Sequence, residues 1–387
     1  MNSNRLRNGG LASLALGALA AYVLACASFS PDDSKVLYPA FEPRTGASAL
    51  NVYDRRARTA TQVFVLPGAN APHDGPALRP QWTADGRYMI AAWPDRDDRD
   101  PLNLLLLPAK PGVPTRFVRI PGMGEAAEKL VGPLAIQGPF LYSLMGSNVI
   151  QRFDLATGET RTNTYRGEVA LYPSPRGDRI WYAGNGCVES NVVEIGTLDG
   201  EALTLKRIVV VPTGRLKDGG LVGFARDGRG VALIVGEGED LELLVWRGSD
   251  WKSHPLKPGA GEQLRFGFPV WSADGRTVLA SYTRATTGAA QSTCEFGLAE
   301  IPVEGGAPRR TRLFTSTSGG GDETDPLVFP AGLSNDGKTV AMASTYVAAN
   351  HRSRLKPEDV ALYFIDLTQP KRVVTRVPIP APKGMFE

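Results

Sequence analysis

The densest charge in this sequence is Asp95-Arg96-Asp97-Asp98-Arg99-Asp100, four carboxylates and two guanidinium groups in six residues. Carboxylates at such spacing suit a calcium loop or a polar contact platform. The interleaved arginines argue against a strong cation site, which leaves a solvated loop that can meet a partner. A second charged stretch, 344–359, carries Arg352, Arg354 and Lys356 and suits an acidic partner or a glycan; its simpler reading is an insertion. Both are candidate partner-binding loops. The three histidines, His73, His254 and His351, fall in a loop, an outer strand and a loop of distant segments, so no three- or four-histidine metal centre is expected. No Cys-x-x-Cys or Cys/His spacing suggests zinc, and no G-x-S-x-G elbow suggests a serine hydrolase. No catalytic residue, metal or cofactor is expected.

The N-terminus has a different chemistry. Arg5 and Arg7 are the only charges in the first 25 residues, and an uncharged apolar run follows, strongest from Leu11 to Ala25. This is the layout of a secretory signal. It ends in Val23-Leu24-Ala25-Cys26, which resembles the lipobox of bacterial lipoproteins. The resemblance implies a diacylglycerol on the Cys26 thiol and cleavage that makes Cys26 the first residue. Leu24 departs from the smaller or β-branched residue usual there. Two other readings stay open: cleavage after Ala27 at an A-x-A site, or an uncut anchor over 9–30, a run borderline for the ~20 apolar residues that span a bilayer. Ala27 in second position lacks the aspartate that retains many such proteins at the inner membrane, which implies the outer membrane, facing periplasm or exterior. Outside the cytosol Cys187 and Cys294 are candidates for a disulfide, although their repeats are not neighbours. The mature chain is near neutral and has no basic stripe with interleaved aromatics, so nucleic acid is not an expected partner.

The elements that position these residues are legible as repeats. Turn glycines recur at Gly86, Gly138, Gly177, Gly228, Gly275 and Gly337, several inside one word: WTADGRYMIAA, FARDGRGVALI, WSADGRTVLA, LSNDGKTVAMA. A second strand follows each turn, then a third such as LELLVWRGSD or VALYFIDLTQ, then a charged or Thr-rich fourth such as ETRTNTY or KRVVTRV. Seven third strands can be counted. Four strands per unit and seven units predict an all-β, seven-bladed β-propeller, with six or eight blades as the alternatives. Asp85, Asp227, Asp274 and Asp336 then have a structural role, capping the turn backbone where Gly takes positive φ. Trp82, Tyr182, Phe266, Phe268 and Trp271 read as plugs between blades, or as the lining of a sugar-binding funnel. The chain divides into a signal peptide (1–25), a tether after the lipidated cysteine (26–34), the propeller (35–380) and a Pro-rich tail (381–387). The first unit lacks a clear inner strand, so closure is expected to join the N-terminal strands to the last blade.

The words PQWTADGRYMIAAW, PVWSADGRTVLASY and AGLSNDGKTVAMAS resemble the repeats of TolB-like propellers, a word shared by the propellers of prolyl-oligopeptidase-type peptidases. The resemblance covers 33–380, less well over 33–75 and 131–165. It implies the propeller fold. The chain departs from the peptidases in having no α/β-hydrolase domain after the propeller, and from TolB in having no α/β domain before it, so neither activity is implied. The expectation is a non-enzymatic envelope lipoprotein, held to the membrane by its N-terminal lipid, whose loop face binds another envelope protein. The alternatives are a hydrolase or lactonase with a site at the central channel, and a glycan-binding module.

Overall fold

The computed structural model describes residues 27–42, 44, 47–65, 79–94, 102–109, 114–120, 135–145, 148–165, 167, 169–174, 177–185, 193–211, 220–236, 238–287, 292–318, 328–344 and 360–380. They form seven antiparallel sheets arranged as a β-propeller. Each blade is made of consecutive chain: 28–65, 79–120, 135–164, 169–211, 220–255, 262–318 and 328–378. Strands run in sequence order from axis to rim. In blade 6 the first strand is split into Glu262–Phe266 and Val270–Trp271, both paired with the second strand, Thr277–Thr287.

Burial follows composition. The second strand of blade 5, Gly230–Val235, is buried at every position, and the third strand of blade 7, Ala361–Asp366, at all but its last. The fourth strand of blade 3, Thr160–Thr164, is exposed throughout, which is why Thr and Arg are tolerated there. The core is seven seams, not one centre. Each of seven apolar clusters joins the facing sides of two neighbouring blades, from Leu37, Leu50, Leu105 and Leu107 between blades 1 and 2 to Tyr38, Tyr53, Leu362 and Phe364 between blades 1 and 7.

The recurring turn has a mechanism, and the residue two places before the aspartate is part of it. In blade 6 the Ser272 hydroxyl donates to Asp274 at 2.7 Å and accepts from the Thr277 N–H at 3.0 Å, while Asp274 accepts from the Arg276 N–H at 3.0 Å. Thr83 and Asp85 in blade 2, and Ser334 and Asp336 in blade 7, repeat this arrangement. Gly86, Gly228, Gly275 and Gly337 hold φ of +67°, +70°, +67° and +71°, the left-handed region that a Cβ penalises.

The N-terminal boundary differs from the sequence expectation. Residues 27–34, read as tether, belong to blade 1. Ser28–Phe29 is its innermost strand, paired with Lys35–Phe41. Ser30-Pro31-Asp32-Asp33 is the same turn word with aspartate at the glycine position: Ser30 Oγ donates to Asp32 at 2.7 Å, and Asp33 has φ +58°. Closure differs with it. Among the described residues no N-terminal strand joins the last sheet; blades 1 and 7 are separate four-stranded sheets that pack side by side. Asp33 is what fastens them. Its carboxylate accepts from the backbone N–H of Asn335 at 2.7 Å and of Asp336 at 2.9 Å, and the Asn335 side chain donates to Ser30 O at 3.2 Å. Arg55 adds bonds to Asp33 O and Thr339 Oγ1, with its guanidinium over the rings of Phe29 and Phe364.

Candidate interaction faces

Strand alternation gives the ring two ends. One carries the turns between first and second strands and between third and fourth. The other carries the segments between second and third strands and those that link blades.

At the turn end, polar groups are committed to one another. Asp33 of blade 1 holds the blade 7 turn. Arg226 of blade 5 reaches past blade 6 to donate to Asn335 O at 2.6 Å and Ser334 O at 2.9 Å in blade 7. Gln137 of blade 3 donates to Asp178 O in blade 4 at 2.6 Å. A Cβ on Gly177 of blade 4 would stand 2.8 Å from the Ala84 Cβ of blade 2, so these turns meet across the short blade 3 turn. The turns thus crowd round the axis and tie each other in place. Farther out at this end, Arg116 of blade 2 donates to Leu155 O of blade 3 at 2.8 Å.

A cleft of about 310 Å³ opens at this end between blades 6 and 7, lined in part by Ser272, Asp274, Thr277, Glu300, Lys338 and Arg372. Glu300 is only 8% exposed. Both its oxygens accept from Arg372, from Nε at 2.8 Å and from Nη2 at 2.5 Å. A carboxylate held this way is an interblade clasp, not an acid or base poised for proton transfer. Among the described residues there is no group of three or more His, Cys, Asp or Glu side chains able to hold a metal ion.

The loop end is unlike this. Blade 6 projects there: its second strand has 11 residues where that of blade 5 has 6. Thr283–Thr287 pair with Ser292–Phe296, a hairpin stem that carries the strand pairing five residue pairs further than in blade 5. A polar cluster braces its base against the first strand. Arg284 donates to Glu262 at 3.2 Å and to Glu295 at 2.7 Å, and the Tyr282 hydroxyl donates to Glu295 at 2.6 Å. Burial, then the bond to Glu295, push the Tyr282 hydroxyl well above the usual phenol range. β-branched Thr277, Thr283, Thr286 and Thr287 were a legible signal for the longer strand.

Of the sequence-derived candidates, Asp95, Arg96, Asp97, Asp98, Arg99, Asp100, Arg352, Arg354, Lys356, Cys26 and Cys187 lie outside the described residues, as do His73 and His351. Cys294 is placed within the third strand of blade 6, opposite Ala285 and Ser316, and is buried with Phe296 and Leu298 in the seam with blade 7. His254 lies on the outer strand of blade 5, as expected. Trp82, Tyr182 and Trp271 are buried in seams, and Trp271 Nε1 donates to Gly223 O of blade 5 at 3.2 Å; these three are plugs, while Phe266 packs at the edge of a seam. Among the described residues no helix is long and apolar enough to cross a membrane.

Comparison with known proteins agrees on the architecture. No protein-family model and no curated protein matches the chain. Among solved structures, a protein from Lactobacillus plantarum is similar at 13% identity and a TM-score of 0.50, over 91% of this chain and 98% of that one. Kluyveromyces lactis Hsv2 with its loop 6CD replaced by a Gly-Ser linker is similar at 13% identity and 0.50, over 93% and 100%. A candidate 6-phosphogluconolactonase from Bacteroides fragilis is similar at 12% identity and 0.47, over 90% and 95%. At these identities the likeness shows the fold: the protein is a seven-bladed β-propeller.

Proposed function

We propose that the protein is a non-enzymatic scaffold of the bacterial cell envelope, TolB-like in its repeats, lipidated at Cys26, whose loop-bearing end binds another envelope protein. The observation that carries this reading is the asymmetry of the ring. At the turn end Asp33 and Arg226 are engaged with backbone groups of the blade 7 turn and Glu300 with Arg372, whereas the loop end projects the blade 6 hairpin and receives the strands that flank both charged sequence stretches, 95–101 and 345–359. Of the described carboxylates at the cleft and in the hairpin cluster, Glu300, Glu295 and Glu262 are each held by an arginine and Asp274 by the Ser272 hydroxyl and the Arg276 N–H, an arrangement that favours packing over catalysis. Propeller folds host binders and enzymes alike, so function has to come from such local features.

The test is in-cell cross-linking with mass spectrometry on tagged full-length protein, comparing wild type with a charge reversal across Asp95–Asp100. A stoichiometric envelope partner lost in the reversal is the expected result. No partner in either sample, together with a melting temperature raised by a lactone, a metal or an envelope polysaccharide, overturns it in favour of a channel-site hydrolase or lactonase, or a glycan-binding module.

A further inference from the structure

The cleft between blades 6 and 7 has a filled counterpart in the next seam of the ring. Between blades 7 and 1 the same corner holds Arg55, the residue that follows the third strand of blade 1. Its Nη1 donates to Asp33 O at 2.9 Å and its Nη2 to Thr339 Oγ1 of blade 7 at 3.0 Å. Its guanidinium lies 5.4 Å from the ring centroid of Phe29 and 5.9 Å from that of Phe364. Two oxygens and two aromatic faces thus hold one cation.

Strand register carries each of these positions into the cleft. Leu367 follows the third strand of blade 7, and its N–H donates to Lys338 O as that of Arg55 does to Ser34 O. Thr277 opens the second strand of blade 6 as Thr339 opens that of blade 7. Gly337 has the turn position of Asp33, both at positive φ. Glu300, paired with Leu279, has the register position of Phe364, paired with Ala341. Thr277, Gly337, Glu300 and Leu367 all line the cleft. The two oxygens that hold a guanidinium in one seam therefore recur in the other, a carboxylate replaces an aromatic face, and leucine replaces the arginine. Leucine has no donor to offer, so Thr277 Oγ1 takes no hydrogen bond from a described residue. Arg372 does not make up the loss, because its donors go to Glu300, Leu367 O and Gln369 O.

Two charges of the lining are also uncommitted. Asp274 is held through Oδ1 alone, by Ser272 and the Arg276 N–H. Lys338 is exposed and pairs with no carboxylate among the described residues. Glu300 is already neutralised by Arg372, which leaves one anion and one cation to meet a ligand. We infer that the cleft is a binding site for a guanidino acid, with the guanidinium on Thr277 Oγ1, Gly337 O and Asp274 Oδ2 and the carboxylate on Lys338. Its volume of about 310 Å³ stands at the lower end of the roughly 300–1,000 Å³ of ligand pockets and suits a single residue such as arginine. The site lies at the turn end and does not depend on the loop-end reading.

The test is isothermal titration of the full chain with L-arginine, with the peptide Gly-Gly-Arg, and with citrulline, whose side chain keeps the shape without the charge. Arginine or the peptide is expected to bind at least about tenfold tighter than citrulline. Tighter binding of the amino acid assigns the site to a free small molecule, and tighter binding of the peptide to a chain terminus; both keep the guanidinium. Thr277→Val is expected to weaken arginine binding about tenfold, while Thr277→Ser, which keeps the oxygen, binds as wild type. Leu367→Arg is expected to abolish binding and to raise the Tm of the free protein by a few degrees, since it supplies within the chain what Arg55 supplies next door. Should Leu367→Arg fail to fold, the two Thr277 variants decide. No binding of arginine or peptide at millimolar concentration, citrulline bound as tightly as arginine, or an unchanged affinity in Thr277→Val overturns the proposal.

Discussion

Asp32 shows what the turn word does to a single group. Hydroxyl bonds, first from Ser30 and then from Ser34, hold its carboxyl down to about 2. Asp274 is lowered in the same way, chiefly by Ser272. Because the folded value lies below the unfolded one, the stabilisation is present above about pH 4 and is lost as pH falls toward 2. Ser30→Ala is expected to raise the Asp32 titration midpoint toward the ordinary carboxylate value, read by carbon NMR of the side-chain carboxyl. Blade 5 offers the reverse experiment. Ala225 stands where other turns have Ser or Thr, so Asp227 keeps the Arg229 N–H at 2.9 Å but has no hydroxyl two residues before it. Ala225→Ser is expected to stabilise by about 0.5–1.5 kcal/mol, the net worth of an added hydrogen bond, and to raise the Tm by a few degrees. The Asp-Gly pair of this word was plain in the sequence. Its hydroxyl partner was not, because Ser and Thr are too common at turns to stand out until the bonds are seen.

At the scale of the element, the turns are interlocked as well as internally bonded. Gly337 combines φ +71° with an Ala273 Cβ that would lie 2.2 Å from an added Cβ. Gly337→Ala is expected to cost about 1–2 kcal/mol for the left-handed backbone alone, with further loss from displacing the blade 6 turn. Gly138→Ala, at φ +57° with nothing nearby, reports the backbone part by itself. Comparing their urea midpoints separates the two causes; equal losses would remove the interlock from the account. The strands themselves were legible wherever apolar runs sat between turn words, as with Val231–Ile234 and Val340–Ala343. The blade 6 extension beyond Ser281 is polar, so no apolar run marks it and only its β-branched threonines point to a strand. The pairing of Arg284 with Glu262 and Glu295 that braces it joins residues 22 and 11 positions apart, a relation that no local pattern reveals.

The whole ring depends on one junction that the chain does not make covalently. Six interfaces join sequential blades, while the seventh joins blade 7 to blade 1 through packing and the Asp33 clasp. The seven-fold count was readable from repeats, yet this closure was not. Asp33 stands where other blades have glycine, so blade 1 lost its turn signature and its first strand went unseen. The structure supplies the reason for the exception. A carboxylate at that position gives each backbone donor of the neighbouring turn its own oxygen, and aspartate is among the few residues that tolerate the left-handed backbone there. Asp33→Gly therefore separates conformation from contact, since it relieves φ and removes the clasp. Its expected effect is a net destabilisation of about 1–3 kcal/mol, as the three bonds that the carboxylate accepts from the Asn335 N–H, the Asn335 side-chain amide and the Asp336 N–H are lost. Amide exchange should accelerate at Asn335 and Asp336 while the Gly230–Val235 strand of blade 5, across the ring, stays protected. If Asp33→Gly leaves the Asn335 and Asp336 amides as slow as in wild type, the seam of Tyr53, Phe364 and their neighbours closes the ring without it.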